Sequence, residues 1–494
     1  MCAYLRLALF LAITNLCDAA SPVLPIELIS RNAQGHQQSL YAFTALNGIS
    51  TNGEKVAFSI SDRAFFGEPP PPPPMPGSID IPIYGQVALW HRGNGLRPLV
   101  NFRDEFGATS FLNTENGLQV KFFEDSSRIC LPVSGGNVVT GIRQRGLTLA
   151  VCSAHVGSPY EYLLGPDGNR ASSGVYGNEQ FDLYSGQFQF GAGVDDVGNL
   201  ALKDRHTGIV EFVALGNDNQ IALSGPGNVS NNGRWVVFIS SDNNLVFGDS
   251  GQSFGGDFFI RDRLTRTTQR VLRPDGREML GAINGDYDFS ADGRFLAFAS
   301  TGDVVEPCLT GANGMPSQGR NSEPIFVHDF QTNTTECISL TQDGTAFGNS
   351  YLSDINRLSI SGDGRFVAFQ TRFPADPDDS NGTLDIYVRD RLLNRTIWVS
   401  QGANGAPGNA PSFQALISEN GRWLAFQSYA SNLVPNDTNG GEPPPFPFEV
   451  ESGGDIFLRD LSALSAEAVQ VPAGSNWGWA LLVLGLLGFG MRAR

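Results

Sequence analysis

The side chains best equipped for chemistry in this sequence are oxygen donors in three acidic, glycine-rich stretches. Asp249 is followed by Gly255, Gly256 and Asp257; Asp376, Asp378, Asp379, Asn381, Gly382 and Asp385 form a second group; Asn436, Asp437, Asn439, Gly440 and Asp455 form a third. A Ca²⁺ ion takes roughly 6–8 oxygen ligands from such loops. The best spacing for it is Asp379-x-Asn381-x-x-x-Asp385, and structural Ca²⁺ is the one cofactor the sequence suggests. The same residues also suit Asx turns in a solvated loop. The terminal bidentate Glu of an EF-hand loop is absent from that spacing.

Other catalytic patterns are missing. There is no G-x-x-x-x-G-K-S/T, no H-E-x-x-H and no G-x-S-x-G, so no catalytic residue is assigned. Gly248-Asp-Ser-Gly251 echoes a serine-protease nucleophile segment, but that chemistry needs a His and an Asp upstream on a two-barrel scaffold. His91, His155, His206 and His328 recur near the ends of strand-like runs, which reads as a structural repeat rather than a metal set. Arg-Asp pairs at 261–262, 389–390 and 459–460 recur in the same way and read as strand-end pairs and turn formers.

Composition narrows the function classes. The 494 residues carry a net charge of −17, which opposes the counterion release that nucleic-acid binding requires. Gly and Pro total 87 residues and charged residues are only 17%, so helical bundles and coiled coils are excluded.

The elements that must hold the acidic loops come from an internal repeat. Ser50-Thr-Asn-Gly53, Ser230-Asn-Asn-Gly233, Ser290-Ala-Asp-Gly293, Ser361-Gly-Asp-Gly364 and Ser418-Glu-Asn-Gly421 each lead into a β-branched, aromatic run ending in Phe. Weaker copies are Thr114-Glu-Asn-Gly117 before Val120-Lys-Phe122, and Ser185-Gly186 before Phe188-Gln-Phe190. Asn-Gly and Asp-Gly accept the positive φ of a hairpin turn, and the runs after them favour strands. A third strand follows, such as Asp385-Ile-Tyr-Val-Arg-Asp390, and then a fourth, such as Thr396-Ile-Trp-Val-Ser400. Four antiparallel strands per unit make a propeller blade. The expected fold is all-β, a seven-bladed β-propeller with six or eight blades as alternatives, because residues 124–180 are irregular.

The phrase Ser-x-Asp-Gly-Arg-x-x-Ala-Phe at 290–298 and 361–369, followed by strands such as Asp455-Ile-Phe-Leu-Arg-Asp460, resembles the TolB-type β-propeller repeat across most of residues 25–465. TolB carries a further N-terminal α/β domain for which this sequence has no room, so the partners of TolB are not implied. Pro25-Ile-Glu-Leu-Ile-Ser30 resembles a fourth strand and is expected to complete the last blade. Glu467-Ala-Val-Gln-Val471 is the competing closer.

The two ends read as addresses. Residues 1–20 combine Arg6, the apolar run Leu7 to Ile13 and the small residues Ala19 and Ala20, the pattern of a secretory signal. Lipidation at Cys17 is the alternative. At the other end, Val471, Pro472, Ser475, Trp477 and Gly478 precede an apolar run and then Arg492 and Arg494. Residues 471–494 resemble the C-terminal sorting tails of Gram-negative bacteria of the PEP-CTERM and IPTL type. That resemblance implies export to the periplasm, the outer surface or the medium, a sorting protease as partner, and transient membrane contact through the tail. An ordinary tail anchor is the alternative. Cys130, Cys152, Cys308 and Cys337 remain after the signal, and their spacing suggests disulfides 130–152 and 308–337 in an oxidising compartment.

Two proline-rich insertions interrupt the repeat. Pro69 to Pro74, with Phe65 and Phe66 before it, and Pro443 to Pro447, with Phe446 and Phe448, both lie between second and third strands. In a closed ring these fall on neighbouring blades, as one binding rim for a surface protein or glycan. The expected function is therefore a monomeric, non-enzymatic binding scaffold. The alternative is a propeller hydrolase or lyase acting on an extracellular polymer.

Overall fold

The computed structural model describes residues 21–31, 35–37, 44–60 and 86–101, the strands alone between 121 and 204, and then 210–222, 228–230, 233–242, 245–247, 257–271, 287–299, 324–342, 344–347, 358–438 and 454–464. Within these, the strands form seven four-stranded sheets. Six are simple up-and-down meanders spanning 44–101, 121–175, 183–212, 228–270, 287–337 and 359–398. The seventh joins Ser412–Ile417, Trp423–Ser428 and Asp455–Asp460 to Ile26–Leu28 from the far end of the chain. The fold is all-β, antiparallel and propeller-like.

The turn between first and second strands shows why the repeated residues are there. In the fifth sheet the Phe295 amide donates to Ser290 Oγ, Ser290 Oγ donates to Asp292, and the Gly293 amide donates to the Ser290 carbonyl. Gly293 sits at φ +69°, where a side chain is strained. The same bonds recur around Ser361, with Phe366 and Asp363, and around Ser418, with Trp423 and Asn420.

These turns also lock sheet to sheet. A Cβ on Gly364 would lie 2.1 Å from the Phe295 ring, and one on Gly53 would lie 2.2 Å from the Trp423 ring. Each glycine thus accepts the aromatic residue that opens the second strand of the preceding sheet. Backbone bonds run turn to turn, from the Ala291 amide to the Gly362 carbonyl, the Gly362 amide to the Glu419 carbonyl, and the Asn420 amide to the Thr51 carbonyl. The last of these joins the seventh sheet to the first. Arg92 of the first sheet lies 3.9 Å over the Trp423 ring, as Arg391 lies 4.3 Å over Phe295 within the series.

Third strands such as Asp257–Asp262 and Asp385–Asp390 are buried along their whole length, because sheets cover both faces. Their terminal aspartates turn out to pair with the arginine that follows the turn glycine, not with their own neighbour. Arg294 grips Asp329 at 3.0 and 2.7 Å, and Arg365 grips Asp390 at 2.9 and 2.7 Å, each while stacked on the adjacent ring. The third-strand arginines point the other way, into the seam. Fully buried Arg459 donates to the carbonyls of Leu24, Val399 and Gln401 and thereby staples the seventh sheet to the sixth.

The closing strand is the one expected at the N-terminus. Ile26 pairs with Arg459 and Leu28 with Phe457. Ser30 then takes the place that Ser400 holds in the sixth sheet: the Ile456 amide donates to Ser30 Oγ as the Ile386 amide donates to Ser400 Oγ. Residues 467–471 lie outside the described residues.

The second sheet differs from the repeat read in the sequence. Lys121–Phe122 is its first strand, paired with Arg128–Leu131, so Gly117 precedes the hairpin instead of forming it. In the third sheet the second strand begins at Phe190 rather than ending there.

Candidate functional site

Of the three acidic stretches, the one from Asp376 to Asp385 is described throughout, and it joins the second strand of the sixth sheet, Phe366–Thr371, to the third. The Thr371–Asp385 pair sets the two ends of the connection. The loop folds on its own oxygens: the Asp378 amide donates to Asp376 Oδ1 at 2.9 Å, the Asp379 amide to the Asp376 carbonyl at 3.1 Å, and the Thr383 amide to Asn381 Oδ1 at 3.0 Å. Asp378, Ser380 and Gly382 face solvent, whereas Asp376, Asp379 and Asp385 are buried.

The three carboxylates sit in different company. Asp376 accepts from the Ser21 amide and hydroxyl. Asp379 Oδ2 accepts a short hydrogen bond from the Tyr387 hydroxyl. Asp385 Oδ1 accepts from Trp398 Nε1 at 3.0 Å and from Ser400 Oγ, and its Oδ2 has no hydrogen-bond partner among the described residues. Burial, aided by the charge of Asp379, pushes the Asp385 carboxyl up to about 7. Burial also raises the Asp379 carboxyl, against the Tyr387 hydrogen bond that lowers it, and raises the Tyr387 phenol far above its ordinary value.

Comparison with the other sheets separates scaffold from specialisation. Asp455 of the seventh sheet is the counterpart of Asp385, bonded to Ser30 and Gln37, and burial lifts its carboxyl to about 7 as well. A buried carboxyl at the head of the third strand is therefore a feature of the repeat. Tyr387 is not. The corresponding residues are Phe259, Phe326 and Phe457, all buried. Packing there requires a ring, and only the sixth of these sheets adds a hydroxyl to it.

Asp379, Asn381 and Asp385, the Ca²⁺ candidates of the sequence, are thus brought into one loop. Their side-chain oxygens bind Tyr387, the Thr383 amide, Trp398 and Ser400. No group of three or more His, Cys, Asp or Glu stands where it could hold a metal ion among the described residues. His328 is buried against Thr335 Oγ1 at 2.9 Å, and burial lowers it to about 4, so it is neutral and structural. Cys337 is disulfide-bonded. Cys152 and Cys308, the side chain of Cys130, His155, His206, the Gly248–Gly251 segment, the rim residues Phe65, Phe66, Pro69, Pro74, Pro443, Phe446 and Phe448, and both terminal addresses lie outside the described residues. No helix among the described residues is long and apolar enough to cross a membrane.

No family model matches the chain, and no curated protein does. Among solved structures it is similar to an oligogalacturonate lyase from Vibrio parahaemolyticus, at 11% identity and a TM-score of 0.45, over 90% of this chain and 98% of that one. An oligogalacturonate lyase in complex with manganese matches at 10% identity, the same TM-score of 0.45 and the same coverage of 90% and 98%. Hydrazine synthase of Kuenenia stuttgartiensis matches at 10% identity and a TM-score of 0.40, over 80% of this chain and 96% of that one. These are enzymes, and the expectation of a non-enzymatic binding scaffold is corrected accordingly. At such identities the likeness concerns the fold, and the manganese belongs to that other structure.

The Tyr387–Asp379 pair was missed in the sequence reading. Its signal was present, as a tyrosine standing where three aligned third strands have phenylalanine.

Proposed function

We propose that the chain is an exported seven-bladed β-propeller, closed by Ile26–Leu28, that acts as a hydrolase or lyase on an extracellular polymer. The observation that carries the enzymatic reading is the Tyr387 hydroxyl given to Asp379 in a loop whose neighbouring carboxyl, Asp385, titrates at about 7. Burying a hydroxyl that packing does not need costs free energy unless it is bonded. Perturbed carboxyls beside a phenol are the equipment of general acid–base catalysis near neutral pH. The exposed residues Ser380 and Gly382 leave the loop open to a long substrate on its solvent side. The signal-like residues 1–20 and the sorting-type tail at 471–494 support action outside the cytoplasm, with a sorting protease as processing partner.

The test is turnover by the purified protein on a panel of neutral and uronate-containing polysaccharides. New reducing ends alone indicate hydrolysis, and reducing ends with the ultraviolet absorbance of an unsaturated product indicate elimination. Failure to cleave every member of the panel, by a protein shown to be folded, removes the reading.

A further inference from the structure

The first described residue is buried. Ser21 is 7% exposed, although it lies near the chain end and is followed by exposed Val23. Its amide lies 3.2 Å from Asp376 Oδ2, its hydroxyl donates to the same oxygen, and its Oγ accepts from the Trp398 amide at 2.8 Å. The next residues continue the anchoring: the Pro22 carbonyl accepts from Gln401 Nε2 at 3.1 Å, and Leu24 packs in the core shared by the sixth and seventh sheets. Asp376 is wholly buried, and among the described residues no lysine or arginine pairs with it. Its remaining donors are the Asp378 amide and Gln342 Nε2, the latter at 3.5 Å. The nearby carboxyl of Asp379 adds like charge. A buried carboxylate held only by neutral donors lacks a counter-ion.

The sequence places the end of its signal segment at Ala20, one residue before this contact. We propose that removal of residues 1–20 makes Ser21 the mature N-terminus and sets its α-ammonium against Asp376 as a buried ion pair that completes the seam between the sixth and seventh sheets. The step is hydrolysis of the Ala20–Ser21 peptide bond by a signal peptidase. Water is consumed, Ala20 leaves as a carboxylate, and the Ser21 nitrogen keeps its electron pair and takes up a proton. One N–H donor becomes three, and the site gains the full positive charge that Asp376 lacks. The same oxygen is already addressed by that nitrogen, so no rearrangement of Ser21 is needed. Export and folding are coupled by this contact: the unprocessed chain has the fold's residues but not its charge balance. The proposal rests on residues 1–20 being a removed signal, not on the enzymatic reading, so either can fail alone.

Intact mass and N-terminal sequencing of the exported protein are expected to give Ser21 as the first residue. A mature chain that begins elsewhere overturns the proposal. The Ser21-start protein is then compared with its N-acetylated form and with a chain retaining Ala20, each with Asp376 and with Asp376→Asn. Acetylation and extension are expected to lower the melting temperature by several degrees with Asp376 and to leave it unchanged with Asn. Equal shifts in both backgrounds, or none, contradict the ion pair. Should Asp376→Asn not fold, the α-amine is titrated directly in the parental protein by NMR after isotopic dimethylation. An amine pKa well above the ordinary ~8 supports the pair, and an ordinary value overturns it.

Discussion

Replacing Gly53 by Ala tests the joint between the two ends of the propeller. Gly53 lies at φ +70°, and a Cβ there would stand 2.2, 2.5 and 2.6 Å from Cδ1, Cγ and Cβ of Trp423. Gly344 supplies the control, because it has φ +82° and, among the described residues, nothing within 4 Å of its virtual Cβ. Gly344→Ala therefore pays only for a left-handed backbone, about 1–2 kcal/mol. Gly53→Ala adds an overpacked contact against an indole already sandwiched by Arg92 and Arg422, worth about 1–3 kcal/mol more. Urea denaturation of the two variants and the parent measures the difference. The reasoning predicts that Gly53→Ala loses at least about 1 kcal/mol more than Gly344→Ala. Equal losses would mean that the first and seventh sheets do not press together in solution, and the closed ring would be refuted.

Other outcomes follow from single groups. The Asp385 carboxyl titrates at about 7 in the fold against ~3.9 unfolded, so its folded pKa is raised and its stabilising contribution is full below pH ~4 and lost as pH rises to about 7. Asp385→Asn should accordingly gain on the parent between pH 4 and 8, by up to about 4 kcal/mol, in urea midpoints measured at both ends; a pH-independent difference contradicts the burial argument. Arg459→Met strands three buried carbonyls and should cost about 3 kcal/mol or more, whereas Arg422→Met, at a half-exposed pair with Asp460, should change stability by about 1 kcal/mol at most. Similar losses in thermal unfolding would refute the seam role of Arg459. Peptide mapping without reduction should join Cys337 to Cys308, and Cys308→Ser should cost about 2–4 kcal/mol; a Cys337 bridge to Cys130 or Cys152 would overturn that pairing.

Much of the scaffold was legible because each unit repeats its own local chemistry. The Ser-x-x-Gly turns at 290–293, 361–364 and 418–421 announce hairpins from sequence alone, and Ile26–Leu28 was recognisable as a fourth strand by its apolar run before Ser30. The second sheet is misphased in the sequence because its first strand is Lys121–Phe122, after the repeat's glycine, and its second is Arg128–Leu131. The direction of each Arg-Asp pairing was hidden because Arg294 and Asp329, or Arg365 and Asp390, are brought together only by strand pairing. The site was legible as an acidic loop, but not as a set of differently treated carboxyls. Asp376 meets Ser21 across 355 residues, and Asp385 owes its shifted carboxyl to burial that no local pattern displays. Function was the least legible part, since the repeat that builds the fold also supplies most of the charged residues that resemble a site.

The enzymatic account stands or falls on the hydroxyl of Tyr387. Tyr387→Phe keeps the ring that the other sheets carry as Phe259, Phe326 and Phe457, so the packing is retained and the protein should fold, at a cost of about 1–3 kcal/mol for the donor lost to the buried Asp379 carboxyl. On whichever polymer the parent cleaves, the account predicts a loss in kcat of about 10²-fold, the scale of a misplaced catalytic group, because Asp379 loses the buried donor that positions it, with KM nearly unchanged. A folded Tyr387→Phe protein with parental turnover would contradict it.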